Sequence, residues 1–153
     1  MTQIEEYKLF LDHVYKLAER RQLVTTTYIS VNAALTGAVA FLFKDGHLIG
    51  LASQVSALTL LFSGIVVCAL WRRLITHYSS LLDWWYAQLR TLEDIMPSSS
   101  KLITKEYHEL FVNKKGKGPI GITRYETSLT WLFTILYLAF GLTVLVTVIL
   151  SLV

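Results

Sequence analysis

The residues of this chain whose types and spacing come nearest to catalysis are Arg72 and His77, with four residues between them. A guanidinium can hold an anion and an imidazole can pass a proton near neutral pH, so this is the one catalytic-looking spacing in the chain. The pattern is short, however, and a small basic chain shows it often by chance. Other chemistries have less support. His13, His77 and His108 lie far apart in sequence, and no acid stands at a metal-ligand offset from them, so no metal is expected. Cys68 is the lone cysteine, which excludes an intrachain disulfide and a zinc cluster. No Ser or Cys nucleophile has a recognisable base partner. Gly116-Lys117-Gly118 lacks the spacing of a phosphate-binding loop. The sequence offers no positive case for an enzyme, and no cofactor is implied.

The elements that would position these residues are apolar. Residues 48–71, LIGLASQVSALTLLFSGIVVCALW, run 24 residues without a charge, where about 20 suffice for a helix to cross the hydrocarbon core. The run ends in Trp71, Arg72 and Arg73, an aromatic suited to the membrane interface and two cations able to reach lipid phosphates. Arg72 thus already has an explanation as an anchor. Two further uncharged runs occupy roughly 23–43 and 127–153. The composition agrees, with 54% hydrophobic and 16% charged residues among 153, against about 25% charged in soluble domains. Too little chain remains for a second soluble domain with its own core.

Residues 3–22 contain no Gly or Pro and read as helix. Ile4, Tyr7, Leu11, Val14 and Ala18 form one apolar stripe, and Phe10 and Leu17 a second. A helix lying flat on a membrane usually shows a basic polar face, whereas four acids here balance four bases, so packing in a bundle is the stronger reading. Acids ahead of the first apolar run also argue against a cleavable signal, which opens with a basic region. Nothing marks a break at Gln22–Leu23, so the helix is expected to run on into the first span. That span opens with Thr25, Thr26, Thr27, Ser30 and Asn32. Hydroxyls can bond back to their own helix, but Asn32 should face a neighbouring helix or a wet cavity. Ala33, Ala34, Gly37, Ala38 and Ala40 then permit close helix approach.

Lys44-Asp45-Gly46-His47 reads as a tight turn, with His47 a solvated loop residue. After Arg73, Leu74, Tyr78, Leu81, Trp85, Leu89 and Leu92 recur at steps of three and four, so one helix is expected over roughly 48–95. Trp84, Trp85 and Tyr86 lie too far past the span for an interfacial belt and are expected, with Tyr78, to fill a bundle or a subunit contact. PSSS at 97–100 stops the helix, and a short helix follows at about 101–112. NKKGKGP at 113–119 is a basic turn. Lys114, Lys115 and Lys117 are suited to anionic lipid headgroups, at roughly 1 kcal/mol each, or equally to a solvated loop. The apolar C-terminus, VLVTVILSLV, must lie in lipid or against another subunit.

Thirteen of the fourteen Lys and Arg lie in 1–22 and 72–126, and only Lys44 lies in the hairpin. By the positive-inside bias, the N-terminus and 72–126 are cytoplasmic while the turn and C-terminus are outside. The net charge of +3 is a topology signal, and no nucleic-acid partner is expected.

Glu19-Arg20-Arg21-Gln22 with Asn32 ten residues on, the Trp71-Arg72-Arg73 junction, and Thr123-Arg124-Tyr125-Glu126 before the last span resemble the RipA-type family of small octameric bacterial membrane proteins. The likeness covers nearly the whole chain, although a proline that the family often carries early in its last span is absent. The resemblance implies a homo-octamer of the bacterial inner membrane with no settled molecular activity. Arg72 and His77 also imitate the Arg/His motif of HEPN-type RNases, the remotest of the functional readings.

The resulting expectation is an all-α integral membrane protein with three transmembrane helices. A cytosolic helical bundle would be formed by the N-terminal helix and a long extension of the second span. Its divisions are 1–22 cytosolic helix, 23–43 first span, 44–47 periplasmic turn, 48–71 second span, 72–96 extension, 97–126 cytosolic loop and 127–153 third span. The leading function is a ring-forming assembly or pore. Thr25, Thr26, Ser30 and Asn32 would line its axis or hold its helices together, and Arg20, Arg21, Trp71, Arg72 and Arg73 would anchor it at the interface. The alternative is a membrane-anchored scaffold or effector that docks a soluble defence or stress-response partner through Trp84–Tyr86 or 101–118.

Overall fold

The computed structural model describes residues 3–44, 51–96, 101–112 and 122–152, and every element among them is helical. Helix α1 runs Gln3–Lys44 over 42 residues, and α2 Leu51–Ile95 over 45. A 6-residue α3, Leu102–Tyr107, continues as a π-helical turn at His108–Val112. Helix α4 runs Ile122–Leu152 over 31 residues. At 1.5 Å per residue α1 and α2 are each about 65 Å long, roughly twice the hydrocarbon core of a bilayer. Three helices, α1, α2 and α4, are long and apolar enough to cross a membrane.

Helix α1 passes 22/23 and α2 passes 71/72 without a break, as expected where no Pro interrupts either pattern. The last helix starts at Ile122, earlier than the run from Thr127 suggests. Arg124 and Glu126 end the apolar pattern but are sound helix formers, so charge there marks the end of the apolar run and not of the helix. The turn through His47, the PSSS stop and the basic turn with Lys114, Lys115 and Lys117 lie outside the described residues.

The chain divides into two compact units, Met1–Leu23 with Ile75–Tyr125, and Val24–Leu74 with Glu126–Val153. In the first unit, Val14 and Leu17 of α1 pack with Leu82 and Leu89 of α2, flanked by Tyr7, Phe10, Leu11, Tyr78, Trp85 and Ile103. The buried line on α1 falls between the two stripes read from the sequence, which leaves Ile4 59% exposed. On α2 it passes through Ile75, Leu82 and Leu89, rotated by about one residue from the stripe through Leu74 and Leu81. A 3.5-residue pattern drifts around a 3.6-residue helix, so spacing alone leaves the central line uncertain by a residue. Tyr78 and Trp85 join this core, whereas Trp84 and Tyr86 do not fill it: they flank it at 53% and 39% exposure. In the second unit the core is Val39, Ala57, Leu61, Cys68, Tyr137 and Val144, drawn from α1, α2 and α4.

Leu89 is fully buried, so Leu89→Ala should cost the first unit about 2–5 kcal/mol through the cavity it leaves. Thermal unfolding of the detergent-solubilised protein should register that loss. Leu102→Ala, at a position 66% exposed, should leave the midpoint within a degree or so of wild type.

Candidate functional site

The second unit is organised around a polar residue that its apolar surroundings cannot leave unpaired. Asn32 has no exposed surface. Its amide donates to the Tyr28 carbonyl one turn back, at 2.8 Å. Its side-chain oxygen accepts from the Cys68 thiol at 3.2 Å and the Tyr137 hydroxyl at 3.0 Å. The same hydroxyl lies 3.2 Å from the Asn32 backbone carbonyl, so its proton is shared between two acceptors on one residue. One carboxamide thereby ties α1 to α2 through Cys68 and to α4 through Tyr137.

Gly64 makes room for that arrangement. A Cβ built there would stand 2.5–2.7 Å from three carbons of the Tyr137 ring, closer than carbon atoms can pack. The ring therefore lies flush on the α2 backbone. Nearby, Trp71 is fully buried and stacks on Tyr28 with ring centroids 5.9 Å apart and planes 10° from parallel. The position is interior, reached because a 100° step per residue carries Trp71 onto the face shared with Cys68 and Gly64.

The other polar residues of this unit divide between inside and outside. Thr25 donates to Glu126 at 2.8 Å, and Glu126 is itself buried. Thr26 and Ser30 are exposed, and the Ser30 hydroxyl returns to the Thr26 carbonyl at 3.0 Å. Ser56, Thr59 and Ser63 on α2 and Thr143 and Thr147 on α4 make the same backward bond, which lets a hydroxyl sit in an apolar helix at little cost. Thr25, Thr26, Ser30 and Asn32 thus lie on one helix but not on one face. Arg72 is half-buried, with its guanidinium 4.0 Å from the Trp131 ring centroid and Nε 3.4 Å from Thr130 Oγ1. Arg73 is exposed.

The first unit has its own buried polar centre. The Glu93 carboxylate, 2% exposed, accepts from Tyr7 Oη at 3.0 Å, Ile103 N at 3.1 Å, Thr104 N at 2.9 Å and Thr104 Oγ1 at 2.8 Å. Lys101, at the start of α3 with φ 47°, supplies no side-chain cap, and a carboxylate from α2 caps the helix instead. Burial alone would raise the Glu93 pKa, but the bonds from Thr104, Ile103 and Tyr7 outweigh it and hold it below the ordinary value. Tyr7 is correspondingly pushed up to about 12, by burial first and then by its bond to Glu93. Elsewhere in this unit Arg21 donates to Thr123 Oγ1 at 2.8 Å, and Ser79 lies 3.3 Å from the same hydroxyl. Arg20 and His77 are exposed.

Sequence reading placed Asn32 among the residues of interest but missed its partners. Gly64 carried a usable signal, a lone glycine within an apolar helix, which often marks close backbone approach. Glu93 carried another, as an acid beside the apolar line. Tyr137, one aromatic among several in α4, carried none. Among the described residues no three His, Cys, Asp or Glu side chains gather as a metal site would require.

Asn32→Leu removes the side-chain oxygen that Cys68 and Tyr137 share and leaves the Tyr137 hydroxyl only the backbone carbonyl at 3.2 Å, at a cost of about 1–3 kcal/mol, and Gly64→Ala forces α2 from the Tyr137 ring. Pairing Gly64→Ala with Tyr137→Leu should therefore cost less than the two single changes summed, as a thermal-unfolding double-mutant cycle would measure. For Glu93 the folded pKa is depressed, so its contribution is complete above the unfolded value of about 4.3. That contribution fades as pH falls through the folded value. Amide protection across 102–112, measured by hydrogen exchange relative to the intrinsic rate at each pH, should fall on acidification below about pH 4. In Glu93→Gln that protection should already be low at neutral pH and change little with acidification.

The chain matches no curated protein and no solved structure. It does match, over residues 4–147 and hence nearly its whole length, the model of the Octameric membrane protein family (8xMP). With three helices able to span a bilayer and a match of that extent, this chain belongs to the octameric membrane protein family.

Proposed function

We propose that the chain is the repeating subunit of a homo-oligomeric ring in the bacterial inner membrane, acting as a structural assembly or pore and not as an enzyme. The outer face of α1 within the second unit lies on the axis of that ring. The observation that carries this reading is the composition of that face. Thr26, Ser30, Ala33 and Gly37 follow one another at steps of four, three and four, and all are exposed. A Cβ added at Gly37 would meet nothing within 4 Å. By contrast, α4 exposes Leu132, Leu138, Leu142 and Leu145, as a lipid-facing helix should. Hydroxyls and small residues gain nothing against lipid but suit water or another close-packed helix. Asn32 and Thr25 support the wall from behind, through α4 and α2.

The distribution of Lys and Arg supports an orientation with the first unit in the cytoplasm, where Lys114, Lys115 and Lys117 would meet anionic headgroups. The engagement of Arg72 by Thr130 and Trp131 supports a structural role for it over a part in RNA cleavage with His77. The exposed Trp84 favours a second reading, in which the cytoplasmic unit is a scaffold for a soluble partner.

Liposome flux measurements on the purified oligomer separate the two. A conducting ring predicts passage of small ions, reduced by about tenfold or more by Thr26→Leu with Ser30→Leu as the lining dewets, with the native mass unchanged. A sealed oligomer in both forms would remove the pore and leave a structural assembly or the scaffold.

A further inference from the structure

A closed ring of identical subunits repeats one heterologous contact, so each subunit needs two unlike faces that fit each other. The first unit has two unlike edges. Its α1 and α2 segments run antiparallel, since Tyr7 reaches Glu93 while Phe10 and His13 meet Trp85 at 5.3 and 4.7 Å. At about 100° per residue, His13 and Tyr15 lie on opposite sides of the buried Val14, and Trp84 and Tyr86 on opposite sides of Trp85. The His13 contact assigns Trp85 and Trp84, whose rings are 4.9 Å apart, to one edge. Tyr15 and Tyr86, on the far sides of Val14 and Trp85 from His13 and Trp84, fall on the other edge.

From this geometry we propose that the first unit docks edge to edge on a second copy of this chain, through these two faces and their matched charges. The proposal rests on the ring reading above. The first edge carries Arg20 and His13 of α1 with His77 of α2, which shares the Trp84 face two turns away. At the same height the second edge carries Glu19 and Asp83. Toward the start of α1 the signs reverse: Glu6 stands on the first edge and Lys8 on the second, where Arg90 lies with its guanidinium 4.0 Å from the Tyr107 ring centroid. Every one of these residues is exposed except the half-buried Arg90. Rotation about an axis running along the helix pair preserves height, so each tier meets its opposite charge on the neighbour. The same contact covers Trp84, Tyr15 and Tyr86, at 53%, 67% and 39% exposure, which are the rigid aromatic side chains that interfaces favour. The charge density of this unit keeps it out of hydrocarbon, so lipid does not cover them.

The test is disulfide cross-linking of full-length protein in its native membranes, with buried Cys68 retained as an internal control. His13→Cys combined with Tyr15→Cys should give, under mild oxidation, a ladder of covalent oligomers rising toward eight copies. Wild type and each single variant should remain monomeric on a denaturing gel. Trp84→Cys with Tyr86→Cys should behave in the same way, so poor folding of one pair does not decide the matter. Dimers from a single variant would show like edges meeting and overturn the proposal. An octamer by native mass spectrometry that yields no ladder from either pair would overturn the edge pairing alone. A monomer by native mass would sink the ring reading with it.

Discussion

The Asn32 side chain sits without exposed surface among apolar neighbours, its oxygen accepting from Cys68 and Tyr137 and its amide returned to its own helix. In a hydrocarbon-like interior an unsatisfied amide costs several kcal/mol, so the three helices can come together only in registers that keep these partners. Hydrophobic packing does not choose a register here, because lipid is as apolar as leucine. The hydrogen bonds supply direction, and Gly64 supplies the clearance that lets the Tyr137 ring reach its acceptor. The stack of Trp71 on Tyr28 and the packing around Val39 and Leu61 are consistent with that alignment.

The first unit solves a related problem with a charge. A helix of 6 residues, α3, has too few internal bonds to stand alone. Its amide groups are satisfied by Glu93, which projects from α2 and also takes the Tyr7 hydroxyl from α1. One buried carboxylate therefore fixes a short connector to a long helix pair, and the Leu82–Leu89 core forms beside it. Each unit thus combines an ordinary apolar core with one polar residue that specifies how the helices meet.

Much of the fold was legible because long uncharged runs and unbroken helical patterns are strong signals. Helices α1 and α2 run unbroken through 22/23 and 71/72, as their uninterrupted patterns indicate. The line of burial was less legible, since Leu81 and Leu82 are equally apolar and only packing selects between them. Asn32 announced itself by being an amide in an apolar run. Tyr137 did not, because its acceptor is 105 residues away in sequence, and Glu93 signalled only that an acid stood beside the apolar line, since its donors arrive from other helices. Trp71 looked like an interfacial aromatic by position and is interior by face.

The proposed axis lies along the face that α1 leaves exposed. Thr26, Ser30, Ala33 and Gly37 form a small and weakly polar strip on α1, whereas α4 exposes Leu132, Leu138, Leu142 and Leu145. The most direct measurement is cysteine accessibility in native membranes to a small, membrane-impermeant thiol reagent. Cysteines would be placed singly at Thr26, Ser30, Ala33 and Gly37, with Leu138 and Leu142 as lipid-facing controls. A water-lined axis predicts rapid labelling at all four strip positions and little at the two leucines. Equally slow labelling at all six would contradict it and make the strip a dry seam between subunits.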